Sequence, residues 1–230
     1  MTRVLLVRHG RTTANASGVL AGRMPGVHLD DVGIQQAEAV AQLLSTVPIS
    51  TVAASPLVRT VETAKIIRSA LRQEPRPQLI KDRAFIECDY GTWTGKKLKK
   101  LAKDPLWAAV QAHPASVTFP EGESMLAAQS RAVEGLRQLV RRSENGSGTD
   151  SVVLIVSHGD VIKSVVADAL GMHLDMFQRL VIDPGSVTAI DYTPMRPFVR
   201  LLNVTNGVAA GLSAGVTKSP DAAIGGGAGR

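Results

Sequence analysis

The sequence has few aromatic residues and a single cysteine. Phe, Trp and Tyr together make up 3% of its 230 residues, so Val, Leu, Ile and Ala must supply most of the core. Few aromatic rings leave little surface on which bases can stack, and this argues against a single-stranded nucleic-acid binder. Cys88 has no partner for an internal disulfide, which fits a reducing compartment. No apolar run reaches the length of a signal peptide or a membrane-spanning helix, so we expect a cytoplasmic protein without a membrane partner. With few aromatic residues, we expect no nucleic-acid partner either.

The rest of the composition is typical of a folded, basic protein. Hydrophobic residues make up 44% of the chain and charged residues 20%, which allows a large core and argues against general disorder. The net charge of +6 favours anionic ligands. Phosphorylated metabolites, nucleic acid and acidic surfaces all belong to that class, and the charge alone does not choose among them.

The hydrophobic pattern predicts strands that alternate with helices. The predicted strands are Val4–Val7, Ser50–Ala54, Gln78–Lys81, Val152–Val156 and a terminal hairpin of Val187–Tyr192 and Phe198–Val204. The predicted helices are Gly33–Leu44, Val58–Leu71, a short one around Lys97–Lys103, Ser124–Arg142 and Val161–Leu170. This alternation predicts an α/β fold, a three-layer sandwich with a mostly parallel central sheet and helices on both faces.

Details of the same pattern carry further predictions. Ile34 and Val61 fall on the predicted apolar faces of their helices, and the polar composition of Ser143–Ser151 predicts a loop. We predict one domain over residues 1–206. Gly and Ala make up more than half of residues 207–230, so we predict a disordered tail there.

Two histidines directly follow strongly predicted strands. Arg8-His9-Gly10 follows Val4–Val7, and Ser157-His158-Gly159 follows Val152–Val156. Sheets of this class bind ligands outside the carboxyl ends of their parallel strands. The sequence therefore predicts a ligand site that both histidines share.

The residues around His9 extend this pattern into a longer motif. Residues 8–15, RHGRTTAN, resemble the RHG-x-[ST]-x-x-N signature of the histidine phosphatase (phosphoglycerate mutase-like) superfamily. Four more segments resemble motifs of that family in the family's order: 29–37 (LDDVGIQQA), 55–64 (SPLVRTVETA), 87–95 (ECDYGTWTG) and 156–159 (VSHG). The resemblance extends from about Arg3 to about Val204, and it implies the phosphoglycerate mutase-like fold.

The resemblance also implies catalytic roles. His9 would be the nucleophile that accepts the phosphoryl group, and Glu87 would protonate the leaving group. The phosphate pocket would consist of Arg8, Arg59 and His158. The chemistry agrees, because a neutral imidazole is a good nucleophile near neutral pH and guanidinium groups match phosphate geometry. His158 would add a third cation if it is protonated.

Substrate contacts and partners follow from the same comparison. We expect Gly10, Thr12, Asn15 and Gly159 to bind the substrate, partly through backbone N–H groups. The spacing of His and Cys residues does not suggest a metal site, and no cofactor is implied. The expected partner is a small phosphorylated substrate, and a homodimer is a possible assembly because dimers are common in the family.

Three functions fit this motif set. The first and favoured one is a phosphomonoester hydrolase, in which water takes the phosphoryl group from His9. The second is a cofactor-dependent phosphoglycerate mutase, but such mutases carry a lysine where this chain has Leu98 and a longer insertion where it has residues 104–123. The third is a phospho-ligand-binding protein with little catalysis. Lys96–Lys103 contains five lysines, which predicts either a solvated face or an electropositive rim of the site.

Overall fold

The computed structural model describes residues 1–147 and 151–205. The strands are β1 (Thr2–Arg8), β2 (Thr51–Ala54), β3 (Leu79–Lys81), β4 (Ser151–Ser157), β5 (Val187–Tyr192) and β6 (Pro197–Val204). The α-helices are α1 (Thr13–Ala16), α2 (Asp31–Leu44), α3 (Val58–Ala70), α4 (Leu98–Leu101), α5 (Leu106–Ala112), α6 (Met125–Ser147) and α7 (Gly159–Ala169). Short 3₁₀ turns join several of these elements, among them Arg83–Phe85 and Gly91–Trp93.

All six strands belong to one sheet, in the order β3-β2-β4-β1-β5-β6. The pairs β3–β2, β2–β4 and β4–β1 are parallel, whereas β5 pairs with β1 and β6 pairs with β5 in the antiparallel sense. The predicted mostly parallel sheet and the terminal hairpin are therefore confirmed. The strands that precede the two motif histidines, β1 and β4, are direct neighbours at the centre of the sheet.

The sheet separates two hydrophobic cores. Because successive side chains of a strand point to opposite faces, Val4 and Leu6 of β1 belong to the core under α6 and α7, while Leu5 and Val7 belong to the core under α2 and α3. Strand β4 divides its side chains between the two cores in the same way. Helices on both faces of one sheet confirm the predicted three-layer arrangement.

Two helices differ from the prediction. Helix α6 continues to Ser147, so the loop predicted for Ser143–Ser151 was wrong over its first half. Ser143 is buried there, and its hydroxyl donates to Ser151 Oγ at 2.8 Å, which compensates for its low helix propensity. Helix α5 was not predicted at all, because its seven residues are too few for a periodic pattern to stand out.

Two apolar side chains are less buried than expected. Ile34 is 40% exposed, because the buried face of α2 passes through its neighbour Gly33 and through Ala37, and one residue along a helix turns about 100° away. Val61 is half-buried, since the buried face of α3 includes the polar residues Arg59, Thr60 and Thr63.

The predicted tail at residues 207–230 lies outside the described residues. Within 1–147 and 151–205, no helix combines the length and the apolar character needed to cross a membrane.

Candidate active site

The sheet brings His9 and His158 together. Strands β1 and β4 pair with Arg8 opposite Ser157, so the next residue of each strand lies at the same edge. The backbone N–H of His9 donates to the Ser157 carbonyl at 3.0 Å, and the two imidazole rings are 5.2 Å apart between centroids. The predicted shared site therefore has a direct structural basis in this parallel pairing.

At Gly10 the backbone passes very close to Gly33, near the start of α2. A Cβ atom at this position would lie 2.2 Å from the carbonyl oxygen of Gly33, a distance that only glycine avoids. The Gly10 N–H donates to Thr63 Oγ1 on α3 at 3.2 Å. Gly10 thus fixes the loop that carries His9, and its N–H group is directed towards a helix and not towards the pocket.

The hydrogen bonds of His9 define its tautomer. Its Nδ1 lies 2.7 Å from the Gly10 carbonyl oxygen, which can only accept, so Nδ1 carries the proton. Its Nε2 accepts a hydrogen bond from Arg59 Nε at 3.2 Å and therefore holds the lone pair. Burial, together with the charges of Arg59 and Arg8, keeps the pKa of His9 well below its usual value. His9 is accordingly a neutral imidazole at pH 7, with its nucleophilic nitrogen facing Arg59.

Two buried arginines supply positive charge beside His9. Arg59 is the second residue of α3, and its Nη2 donates to the Gly22 carbonyl at 2.8 Å and to His158 Nδ1 at 3.2 Å. Arg8 is fully buried, and its Nη1 donates to the Ile182 carbonyl at 2.7 Å. Burial lowers the pKa of Arg8 to about 10, which leaves the guanidinium charged at neutral pH.

His158 is neutral in this arrangement. Its Nδ1 accepts from Arg59, so its proton is on Nε2, which donates to Ser55 Oγ at 2.8 Å. Burial and the charge of Arg59 hold the pKa of His158 well below its usual value. The third cation suggested from the sequence is thus not available here, and positive charge comes from the arginines. The role of Ser55 was missed, although its position directly after β2, next to β4 in the sheet, would have indicated it.

Glu87 lies on the loop after the Arg83–Phe85 turn, and it approaches the Nδ1 atom of His158, whereas Ser55 contacts the Nε2 atom. Its Oε2 is 3.9 Å from His158 Nδ1, and its Oε1 accepts from the Cys88 N–H at 3.0 Å. Burial, and next the nearby charge of Asp160, raise the pKa of Glu87 to about 7. A carboxyl group with this pKa can both give and take a proton near neutral pH.

His9, Arg59 and Glu87 line an open pocket of about 390 Å³, a volume that includes its mouth. Five predicted site residues line it, namely His9, Thr12, Asn15, Arg59 and Glu87. Thr12 caps α1, accepts the Asn15 N–H at 3.2 Å and donates its hydroxyl to Asn15 Oδ1 at 2.8 Å, so the two side chains are held together. The other four predicted residues are not among those that line the pocket: Arg8, Gly10, His158 and Gly159.

The outer wall of the pocket is apolar. It is formed by Val19, Leu20, Ala21 and Leu98, where residues 17–21 pair with residues 96–98. The backbone bonds of this pairing include Leu20 N–H to the Lys96 carbonyl at 3.0 Å. The five lysines of Lys96–Lys103 are exposed outside this wall. None of these five lysines is among the described residues that line the pocket, and the wall itself presents aliphatic side chains.

The polar groups of the site include two imidazoles, two guanidinium groups and one carboxyl group. In the part of the chain that the structure describes, no cluster of three or more His, Cys, Asp or Glu side chains is arranged to hold a metal ion. His9 and His158 are instead joined through Arg59, which donates to both rings, and Ser55 bonds His158 on its other nitrogen. The arrangement offers a nucleophile, an acid or base, and guanidinium groups, which is the set that metal-independent phosphoryl transfer uses.

Comparisons of the sequence with protein families and with known proteins agree on one family. The sequence model of the histidine phosphatase superfamily (branch 1) matches residues 4–205. The chain is similar to phosphoserine phosphatase 1 of Hydrogenobacter thermophilus, with 30% identity over 89% of this chain and 93% of that protein. It is also similar to the probable phosphoglycerate mutase GpmB of Proteus mirabilis, with 29% identity over 84% of this chain and 86% of that protein.

A solved structure shares the same fold. The phosphoserine phosphatase of Entamoeba histolytica in complex with 3-phosphoglyceric acid superposes with a TM-score of 0.78 at 25% identity. The match covers 90% of this chain and 98% of that chain. The fold and the family therefore agree, while the names of the relatives include both phosphatases and a mutase.

Proposed function

The chain belongs to the histidine phosphatase superfamily, whose enzymes work through a phosphohistidine, and we propose that it hydrolyses small phosphomonoesters with His9 as the nucleophile. One observation carries this proposal. The lone pair of His9 Nε2 lies beside the charged Arg59, in the same pocket as Glu87, whose pKa is about 7. A nucleophile, a cation and a titrating acid thus line the same pocket.

In the first half-reaction, His9 Nε2 attacks the phosphorus atom of the ester. The bond between phosphorus and the ester oxygen breaks, and the protonated Glu87 gives its proton to the leaving alkoxide. Arg59 and Arg8 balance the charge of the transferring phosphoryl group. The products of this step are an alcohol, a phosphohistidine and the Glu87 carboxylate.

In the second half-reaction, water attacks the phosphohistidine. Glu87, now a carboxylate, takes a proton from that water while the phosphorus–nitrogen bond breaks. Inorganic phosphate leaves, and His9 returns with its proton still on Nδ1. The same carboxyl group therefore acts as acid and then as base, which requires a pKa near the working pH.

The composition of the pocket favours hydrolysis over mutation of phosphate position. A mutase must hold a doubly phosphorylated or carboxylated intermediate and exclude water from the phosphohistidine. Among the described residues that line this pocket, Arg59 is the one Lys or Arg side chain, and Leu98 presents an aliphatic chain. Residues 104–123, where the mutases carry a longer insertion, contribute no side chain to the lining of the pocket.

Mutase activity is the second candidate, and the exposed lysines of Lys96–Lys103 are the observation that favours it, since they could attract an acidic substrate. The neutral state of His9 and the raised pKa of Glu87 count against the third candidate, a phospho-ligand-binding protein with little catalysis. We further propose a cytoplasmic location and a small phosphorylated substrate, and a homodimer stays a prediction for size measurements in solution.

The deciding experiment compares phosphate release with phosphate migration. We expect phosphate release from a panel of phosphomonoesters, including phosphoserine and 3-phosphoglycerate, and none from His9→Ala. In parallel, the enzyme receives 3-phosphoglycerate with catalytic 2,3-bisphosphoglycerate. Efficient formation of 2-phosphoglycerate, with release from the panel orders of magnitude slower, would favour the mutase. Tight binding of these compounds without turnover would favour the binding protein.

A further inference from the structure

The backbone around Glu87 is held from outside the pocket. Arg23 Nε donates to the Glu87 carbonyl at 2.9 Å, and Arg131 Nη1 donates to the carbonyl of the preceding residue, Ile86, at 3.0 Å. On the other side, the Asp89 N–H donates to Glu123 Oε1 at 3.0 Å. These bonds fix the chain directly before, at and after the residue that carries the carboxyl group.

One carboxylate oxygen joins these contacts. Glu123 Oε1 also accepts Arg23 Nη2 at 2.9 Å and Arg131 Nη2 at 2.8 Å, so three donors converge on it. The side chains of Glu123, Arg23 and Arg131 are 19%, 25% and 24% exposed. Solvent and salt therefore screen their charges less than they screen charges on fully exposed side chains. Charge-assisted bonds of this kind are stronger than neutral ones.

Glu123 is itself fixed through its backbone. Its N–H donates to the Asp89 carbonyl at 3.0 Å, and its carbonyl accepts the Phe119 N–H at 3.2 Å. The preceding Gly122 approaches so closely that a Cβ there would lie 2.3 Å from the Asp89 carbonyl oxygen. The Glu123 side chain is therefore a fixed point from which both arginines reach the Glu87 segment.

The Glu87 side chain depends on this support. Within the described residues, its carboxyl group contacts the Cys88 N–H through Oε1 and His158 at 3.9 Å through Oε2. An oxygen that must give a proton to a leaving group cannot also be held by strong protein bonds. Its orientation must then come from its backbone, and that backbone is held by the contacts of Glu123.

We propose that Glu123 is a positioning residue for the proton donor Glu87, acting through Arg23, Arg131 and the Asp89 N–H. This inference rests on the proposed function, because it requires Glu87 to protonate the leaving group. The side chains of Glu123, Arg23 and Arg131 do not line the pocket, so an effect on catalysis must pass through the segment that they hold. In that segment, Glu87 is the residue with a pKa near 7. The prediction is a loss confined to substrates that need a general acid.

The expected size follows from the cost of a displaced catalytic group. A misplacement of about 1 Å can cost on the order of 10²-fold in rate. We expect Glu123→Ala to lower kcat on glycerol 2-phosphate by about 10- to 100-fold, and on p-nitrophenyl phosphate by less than about threefold, since nitrophenolate leaves without a proton. Glu123→Gln should restore part of the loss, because its amide oxygen still accepts the Asp89 N–H.

The experiment measures both substrates for the wild type, Glu123→Ala and Glu123→Gln, with Glu134→Ala as the matched control. Glu134 lies on α6 and pairs with Arg141 at 3.1 Å on the exposed surface, so its removal should leave both rates unchanged. Each Glu123 variant is also combined with Glu87→Gln. If Glu123 acts through Glu87, the double variants should be no slower on glycerol 2-phosphate than Glu87→Gln alone.

The outcomes separate the two proposals. Equal losses on both substrates, or additive losses in the double variants, would assign Glu123 a general structural role and overturn the inference. Unchanged rates in Glu123→Ala would also overturn the positioning role of Glu123. In that case a selective loss in Glu87→Gln would still support the proposed function. Absence of phosphate release by the wild type would instead refute the proposed function.

If Glu123→Ala does not fold, Arg23→Lys serves as the second variant. A lysine cannot reach Glu123 and the Glu87 carbonyl together, so the same selective loss on glycerol 2-phosphate is expected.

Discussion

Raising the pH above 7 is expected to slow hydrolysis of alkyl phosphates in proportion to the loss of the Glu87 proton. With a pKa of about 7, Glu87 is half protonated at pH 7, and the protonated fraction falls to about a tenth at pH 8 and about a hundredth at pH 9. The value of kcat/KM on glycerol 2-phosphate should therefore fall about tenfold per pH unit above 7. The sign follows from the chemistry, because only the protonated carboxyl can donate.

Other groups do not obscure this alkaline limb. The pKa of His9 lies well below its usual value, so the nucleophile is neutral throughout the range. The second ionisation of a phosphomonoester has a pKa near 6, so the substrate is a dianion above pH 7. A titration between pH 7 and 9 accordingly reports on Glu87.

Glu87→Gln provides the direct test. At pH 6.5 this variant should be slower on glycerol 2-phosphate by roughly 10²–10⁴, the usual contribution of a general acid, and its alkaline limb should disappear. On p-nitrophenyl phosphate the loss should be much smaller. Asp160→Asn removes a charge that raises the pKa of Glu87, so it should move the limb to lower pH. A limb that persists in Glu87→Gln, or a flat wild-type profile up to pH 9, would refute the reasoning.

Two further predictions concern the pocket and its support. Because Arg8 and Arg59 supply the positive charge, activity should survive treatment with EDTA, and a loss that Mg²⁺ or Zn²⁺ reverses would contradict this mechanism. Gly10→Ala should lower the free energy of unfolding by about 1–3 kcal/mol or more, because the new Cβ would lie 2.2 Å from the Gly33 carbonyl oxygen. Urea unfolding measures this change, and an unaltered midpoint would show that the loop accommodates the methyl group.

The fold is predictable where local patterns are strong. Buried strands such as β1 and β4 are short aliphatic runs, and their ends differ from the prediction by one or two residues. Helix α5 is too short for its periodicity to be read, and the end of α6 is stabilised by a contact between Ser143 and Ser151 that sequence propensity does not contain. These differences arise from tertiary contacts, which a local pattern cannot report.

The site is predictable in its residue types and less so in its chemistry. Motifs indicate His9, Arg59 and Glu87, and the structure brings all three to one pocket. The tautomer of His9 and the neutral state of His158 depend on hydrogen bonds between distant segments, so only the folded chain reveals them. Ser55 was missed although it directly follows a predicted strand, because its contact with His158 requires that strand to lie beside β4.

The parallel pairing of β1 with β4 also bears on how the enzyme would lose its activity on heating. Seven consecutive positions are paired, from Thr2 with Ser151 to Arg8 with Ser157, and the His9 N–H continues this ladder. The two histidines cannot separate by the fraying of a surface loop, because the central strands of the sheet would have to part first. We therefore expect amide hydrogens there to exchange with solvent mainly through global opening. Thermal inactivation should therefore coincide with the cooperative melting of the whole sheet, and the working life of the enzyme at a given temperature is set by its global unfolding rate.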